Sequence, residues 1–294
     1  MARRLALGAL TLALVSVVVF TATQALPGSP AEAILGRTAS PERVAALETQ
    51  LGLDKPAISQ YLDWVGGVLT GDLGDSLAAG VPVSDLLSDR IVNSLILVFV
   101  AALVALPLGV LLGIAAAFRR GRLIDEAIGA GTLVFVAMPE FVIGLLLTIV
   151  FATTVFSIFP AVSVVPSGEL VLSDPSSMVL PAATLVLAVV PYLARMARAS
   201  AIEVLESEYV AMARLKGVPE RRVMTRHALP NALVPIIQVG ALEVAWMAGG
   251  IVVVEFLFRY PGVGSALTDA VANRDLPVIQ VIVLYIAALY VFLN

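Results

Sequence analysis

Long apolar runs separated by shorter polar segments dominate this chain. The runs cover residues 5–26, about 94–118, about 128–151, about 178–194, about 232–254 and 276 onward. A helix needs about 20 predominantly apolar residues to cross the hydrocarbon core of a bilayer, and each run falls near that length. The pattern therefore predicts an all-α polytopic membrane protein with six transmembrane helices.

The first run has two interpretations. Arg3 and Arg4 precede it, and Thr23-Gln24-Ala25 would serve as the cleavage site of a signal peptide. The run is longer than an ordinary signal core and long enough to span a bilayer. We therefore favour a retained first helix over residues 1–26.

Residues 27–91 form the longest polar segment. Pro27-Gly28 and Pro30 interrupt the chain, and apolar residues then recur at helical spacing through Val44, Leu47 and Leu51. A disordered linker is the alternative, but the segment carries too many large apolar side chains for that: Tyr61, Leu62, Trp64, Val65, Val68 and Leu69. We expect short helices and turns that pack on a membrane surface.

The stretch 201–231 lies between two apolar runs and has the pattern of a helix, a corner and a second helix. An apolar stripe at helical spacing runs through Ile202, Leu205, Tyr209 and Met212. Lys216-Gly217 is typical of a helix end, and Pro219 suits the first turn of the next helix. An ordinary basic loop is the alternative, although such loops rarely need a rigid corner.

Composition and charge narrow the class of protein. The chain is 60% hydrophobic and 14% charged, with a mean hydropathy of +0.99, which excludes a typical soluble domain. Twelve of the 18 Lys and Arg residues fall in 1–4, 119–126 and 195–230, so the excess of positive charge places both termini in the cytoplasm. The basic residues follow a membrane face, which gives no support for nucleic-acid binding.

The candidate chemistry is confined to acidic residues inside the apolar runs. No Gly-x4-Gly-Lys-Ser/Thr motif is present, no cluster has metal-ligand spacing, and the single histidine lies in 201–231. We thus expect no catalytic residue, metal site or cofactor on this chain. Glu140 and Glu243 are costly in a membrane and favour a wet pathway, with Met138 and Trp246 as further candidates; carboxyl groups hydrogen-bonded between helices are the alternative.

The stretch 201–231 also carries a resemblance. Gly217, nine residues and then His227-Ala228-Leu229-Pro230 resemble the loop by which permeases of ABC importers dock onto their ATPases. That signature begins with Glu-Ala-Ala, whereas this chain has Ala211-Met212-Ala213, and His227 replaces an isoleucine. The resemblance implies that a set of residues contacts an ATPase: Tyr209, Ala211, Ala213, Lys216, Gly217, Pro219, Leu229 and Pro230.

Two further segments resemble the peptide and nickel branch of these permeases. Residues 249–264, followed by Ala270, Arg274-Asp275 and 277–280, closely resemble the sequence of that branch. The short motifs at 51–56, 60–61 and 71–74 are similar to an external segment of B-type subunits of dipeptide and oligopeptide permeases. That segment implies a cap that meets a substrate-binding protein. Candidate partner or gate residues are the charged ones: Asp72, Asp75, Glu255, Arg259, Arg274 and Asp275. For the last four, ion pairing at an interface is the alternative.

The resemblance implies a type I ABC importer permease in the bacterial inner membrane. Its domains would be helix 1–26, an extracytoplasmic cap at 27–91 and a core at 92–294 with the coupling loop 201–231. Its partners would be a second permease, two ATPases that hold ATP and Mg, an extracytoplasmic binding protein and the bilayer. Dipeptides or oligopeptides are the expected cargo.

Alternatives remain within and outside this class. Nickel or haem would be cargo for a relative in the same family, and an intramembrane enzyme or scaffold is the alternative of a different class. Related permeases continue past the sixth helix with a basic tail, so we expect the C-terminus at Asn294 to be incomplete.

Overall fold

A computed structural model describes residues 2–25, 29–35, 39–166 and 169–293. Within these ranges the chain is helical and forms no strand beyond an isolated bridge between Asp75 and Pro82. The chain divides into two compact units. The first is formed by the described residues of Met1–Ser94, Val165–Ser173 and Pro261–Phe292, and the second by those of Leu95–Val164, Asp174–Tyr260 and Leu293–Asn294.

The α-helices follow one another in this order: α1 (Ala2–Gln24), α2 (Pro30–Leu35), α3 (Pro41–Gln50), α4 (Ala57–Thr70), α5 (Val83–Phe118), α6 (Leu123–Val136), α7 (Glu140–Thr148), α8 (Ser176–Leu205), α9 (Glu208–Leu215), α10 (Glu220–Arg222), α11 (Leu229–Phe258), α12 (Val263–Asn273) and α13 (Leu276–Leu293). Two π-helical segments, Ile149–Thr153 and Val223–Ala228, extend α7 and join α10 to α11. A short 3-10 turn covers Val171–Ser173.

Five helical segments within the described ranges are long and apolar enough to cross a membrane. They are α1, α5, α8, the continuous segment Glu220–Phe258 and α13, and the bent pair of α6 with Glu140–Thr153 makes six if it counts as one span. The prediction of an all-α polytopic protein is confirmed. The short helices expected in 27–91 are present as α2, α3 and α4.

The span expected over about 128–151 is not one continuous helix. The structure bends by 101° between α6 and α7, and Pro139 precedes α7 with ψ at 145°. A proline has no N–H to donate and disfavours helical geometry in the residue before it. The helix α6 therefore ends at Val136, and α7 begins in a new direction at Glu140.

The coupling loop also differs from its expected form. The second helix of 201–231 is not a separate short helix, because α10 continues through Val223–Ala228 into α11. The stripe through Ile202 to Met212 is not one face either, since α8 ends at Leu205 and α9 begins at Glu208. The buried face of α9 is instead formed by Val210 and Ala213.

The core of the first unit joins α1, the start of α5, α12 and α13. Its buried side chains are Val19, Val83, Leu87, Val263, Ala266, Ala270, Val278, Ile279, Val281 and Ile282. In the second unit, α8 packs on α5 and α11 through small residues and a few larger ones: Ala117, Leu193, Ala197, Ala201, Ala232 and Ile236. Small side chains let membrane helices approach closely.

Candidate functional site

The break between α6 and α7 opens a cavity in the second unit. The cavity has a volume of about 500 Å³, and its walls are Phe135, Val136, Met138, Pro139, Glu140, Ala188, Tyr192, Glu243 and Trp246. The four candidate pathway residues come from α7, α11 and the break itself, and the structure brings all of them to this one cavity. Tyr192 from α8 was missed, because nothing in the apolar run around it distinguishes its direction.

Glu140 occupies a special position in this cavity. It is the first residue of α7, where unpaired backbone N–H groups favour a negative charge. Its Oε2 atom is buried and receives no hydrogen bond from the described residues. The carboxylate therefore has an acceptor that the described part of the chain does not use.

Gly250 of α11 makes room for this carboxylate. A Cβ atom at Gly250 would lie 3.0 Å from Oε2 of Glu140 and 3.6 Å from Cη2 of Trp246. The carboxylate and the indole ring thus flank the same point. In the sequence Gly250 was part only of the family resemblance at 249–264, and this contact was missed.

The corner after α9 has the geometry that its sequence indicates. Gly217 has φ at +74°, in the left-handed region, and open space around its Cα, so glycine is needed there for its backbone freedom. Behind the corner, α9 packs on the π-helical segment through Val210, Ala213, Val223 and Ala228. These contacts hold the corner as a rigid projection.

An exposed ion pair connects the two sides of the corner. Arg214 donates to Glu220 from Nη2 at 2.7 Å and from Nε at 3.1 Å. This hydrogen bond raises the pKa of the Arg214 guanidinium above its usual value. The pair joins α9 to α10 across Gly217, and sequence reasoning missed it.

Three large apolar side chains of α9 are exposed at the corner. Tyr209, Met212 and Leu215 are 45%, 54% and 82% exposed, which is unusual for large side chains on an otherwise charged loop. Of the candidate coupling residues, Ala211, Lys216, Gly217, Pro219 and Pro230 are also exposed, Leu229 is half-buried and Ala213 is buried.

A second ion pair fixes α8 near this corner. Arg198 donates to both oxygens of Asp125, at 2.6 Å and 2.8 Å, and Gly121 N donates to Asp125 Oδ2 at 3.0 Å. Arg120 pairs with Glu206 in the same region. These pairs join the start of α6 and the end of α5 to α8.

The charged candidates of the first unit divide into exposed and buried groups. Asp72 and Asp75 are exposed, and Arg274 is half-buried with φ at +56°. Asp275 is buried and accepts hydrogen bonds from Leu77 N at 3.0 Å, from Ala78 N at 3.3 Å and from Ser76 Oγ. Asp275 is therefore an internal acceptor that holds the turn at 76–78, not a surface charge.

The charged candidates of the second unit divide in the same way. Arg259 is exposed and ends α11 with φ at +51°, whereas Glu255 is completely buried. Burial, together with the negative charge of Glu255, raises the pKa of Tyr260 far above its usual value. Glu255 and Asp275 are thus buried among the described residues, and the partner or gate role of the six charged candidates stays a prediction.

Comparison with known proteins decides the family. A family model described as "Binding-protein-dependent transport system inner membrane component" matches residues 109–294, and the model of its N-terminal region matches residues 1–98. The chain belongs to this family. As an inner-membrane component it is a permease subunit of an ABC transporter, a class that works with an ATPase and a binding protein.

Named relatives of this permease align over nearly its whole length. A putative peptide transport system permease of Brucella abortus is 36% identical over 281 residues, which cover 96% of this chain and 89% of the relative. A probable peptide ABC transporter permease of Sinorhizobium fredii is 35% identical and covers 99% and 93%. A glutathione transport system permease of Salmonella typhimurium is 35% identical and covers 97% and 90%.

Proposed function

We propose that this chain forms half of the translocation pathway of an ATP-driven importer that takes peptides from an extracytoplasmic binding protein. The observation that carries the proposal is the cavity at the α6–α7 break, where Glu140, Glu243, Met138 and Trp246 meet. Its volume falls in the range of small-ligand sites. The names of the relatives, two for peptides and one for glutathione, favour peptide cargo.

Two helices, α8 and α11, connect the cavity with the corner. On α8, Tyr192 lines the cavity and Leu205 packs on the corner, 13 residues further along. On α11, Glu243 lines the cavity and Leu229 follows the corner, 14 residues away. At 1.5 Å per residue both distances are about 20 Å. A displacement of the corner would therefore be transmitted to the cavity along two continuous helices.

The exposed apolar surface at Tyr209, Met212 and Leu215 supports docking of an ATPase at residues 207–224. Hydrolysis of ATP with Mg would then occur on two partner ATPases, since no nucleotide motif occurs in this chain. The other half of the pathway would be a second permease. The excess of Lys and Arg supports cytoplasmic termini and corner in a bacterial inner membrane, with 27–91 as the external cap.

A pair of matched glycines tests this function. Gly217 and Gly121 have the same left-handed backbone, with φ at +74° and +73°, and both face open space. Gly217→Trp and Gly121→Trp therefore introduce similar strain, but only the former lies in the proposed docking segment. The assay uses proteoliposomes with the ATPases and the loaded binding protein. We expect peptide uptake per ATP hydrolysed to fall by more than about tenfold in Gly217→Trp. A tenfold loss corresponds to about 1.4 kcal/mol of coupling free energy.

Gly121→Trp should retain most of the coupling. Equal coupling in both variants would contradict docking at 207–224. If the unmodified transporter took up nickel or haem but no dipeptide or oligopeptide, the proposed cargo would be wrong.

A further inference from the structure

The cavity walls combine two kinds of group that attract cations. Glu140 and Glu243 supply carboxylates, and Trp246 and Tyr192 supply aromatic rings that are about half exposed. The described lining includes no Lys, Arg or His. Aromatic faces and carboxylates together favour an organic ammonium group.

Other ligand chemistries fit this lining less well. An anion would face two carboxylates without a cation to balance them. A transition metal would need three or more ligands, and the described residues contain no group of three His, Cys, Asp or Glu side chains with suitable geometry. An ammonium group needs only a carboxylate partner and a ring face.

The position of Glu140 gives the second observation. Its Oε2 atom is buried without a hydrogen-bond donor among the described residues. A Cβ at Gly250 would lie within 4 Å of both this oxygen and Cη2 of Trp246, so the acceptor and the edge of the indole ring lie close together beside α11. A buried acceptor without a partner is costly unless a ligand supplies the donor.

We propose that this cavity binds the protonated amino group of the cargo, with Glu140 and Trp246 as its direct contacts and Glu243 as a second carboxylate. This inference rests on the proposed function, because it takes peptides as the cargo. It adds a specificity rule that acts inside the permease. A peptide whose amino group is blocked would be unable to pair with Glu140, even after the binding protein had delivered it.

A single cysteine in the cavity wall allows this preference to be measured without an uptake assay. The chain contains no cysteine, so Ala188→Cys places a single thiol of this chain in the wall. The assembled transporter, with cysteine-free partners, is treated during ATP turnover with two methanethiosulfonate reagents of similar size, one carrying trimethylammonium and the other sulfonate. The ratio of their modification rates, normalised to free thiol, reports the charge preference of the cavity.

We expect the cationic reagent to react about tenfold faster, which corresponds to about 1.4 kcal/mol. Adding Glu140→Gln and Glu243→Gln should bring the ratio close to one. Glu126→Gln, an exposed glutamate of α6 outside the cavity, should leave it unchanged. A ratio near one in the parent, or no modification by either reagent, would overturn the proposal.

The same thiol tests the cargo. Alanyl-alanine should slow modification of Ala188→Cys more than N-acetyl-alanyl-alanine does, and Gly250→Leu, which fills the space beside Glu140, should abolish that difference. Gly249→Leu is the control, because a Cβ there meets nothing within 4 Å. Equal protection by both peptides would overturn the ammonium site while leaving a peptide permease intact. A charge preference in a transporter that takes up no peptide would reject the proposed function instead.

Discussion

The close approach of α5 and α8 at Gly113 leads to the strongest stability prediction. A Cβ at Gly113 would lie 2.4 Å from the carbonyl oxygen of Ala194, 2.5 Å from Cβ of Ala197 and 2.9 Å from N of Arg198. All three atoms are backbone or Cβ atoms, so no side chain can rotate away. Normal contacts need about 3.5 Å, and α5 would have to move away from α8 by about 1 Å.

We therefore expect Gly113→Ala to destabilise the permease. Overpacking costs about 1–3 kcal/mol, and the higher helix propensity of alanine offsets about 1 kcal/mol of that. The net loss should therefore lie between zero and about 2 kcal/mol, and Gly113→Leu should cost more. The free energy of unfolding can be measured by titration with sodium dodecyl sulfate in mixed micelles.

Gly129 in α6 provides the matched control. It lies inside a helix, and a Cβ there would meet nothing within 4 Å. Gly129→Ala should therefore leave the free energy of unfolding unchanged or raise it by up to about 1 kcal/mol. If both alanine variants unfolded at the same detergent fraction, the close approach of α5 to α8 at Gly113 would not contribute to stability.

Two further predictions concern the orientation and the first unit. A cysteine at Asp72 should react with an impermeant reagent in intact cells, whereas one at Glu220 should react only after permeabilisation; equal labelling would exclude the proposed orientation. Asp275→Asn replaces a buried carboxylate that accepts hydrogen bonds from Ser76, Leu77 and Ala78. The free energy that holds the turn at 76–78 in place should therefore fall by about 1–3 kcal/mol. Faster labelling of Ala78→Cys in that variant would show this, and an unchanged rate would contradict it.

Local sequence signals predicted the parts of the fold that depend on neighbouring residues. Apolar runs of sufficient length predicted the spans, and Lys216-Gly217 with Pro219 predicted the corner. In each case a few consecutive residues determine the backbone.

Local sequence signals did not predict the contacts between distant segments of the chain. Asp275 and Ser76 are 199 positions apart, and Asp125 and Arg198 are 73 apart, so neither pair was predicted. Pro139 was visible in the sequence, but prolines also occur in helices that continue, as Pro107 does within α5. Whether a proline bends or breaks a span depends on the neighbouring helices that satisfy the freed backbone groups.

The two departures from the family signature lie where the geometry of the corner does not depend on them. Ala211, which stands in place of the signature's glutamate, is exposed, and His227 in place of isoleucine is half-buried. The corner is held instead by the left-handed Gly217, by the Arg214–Glu220 pair and by the buried contacts of Val210. The shape of the projection is thus preserved without the glutamate. Any partner at this corner would meet exposed charged side chains such as Arg214 and Lys216 together with Tyr209, Met212 and Leu215. Burial of the last three would supply apolar contact area to the complex without the missing carboxylate.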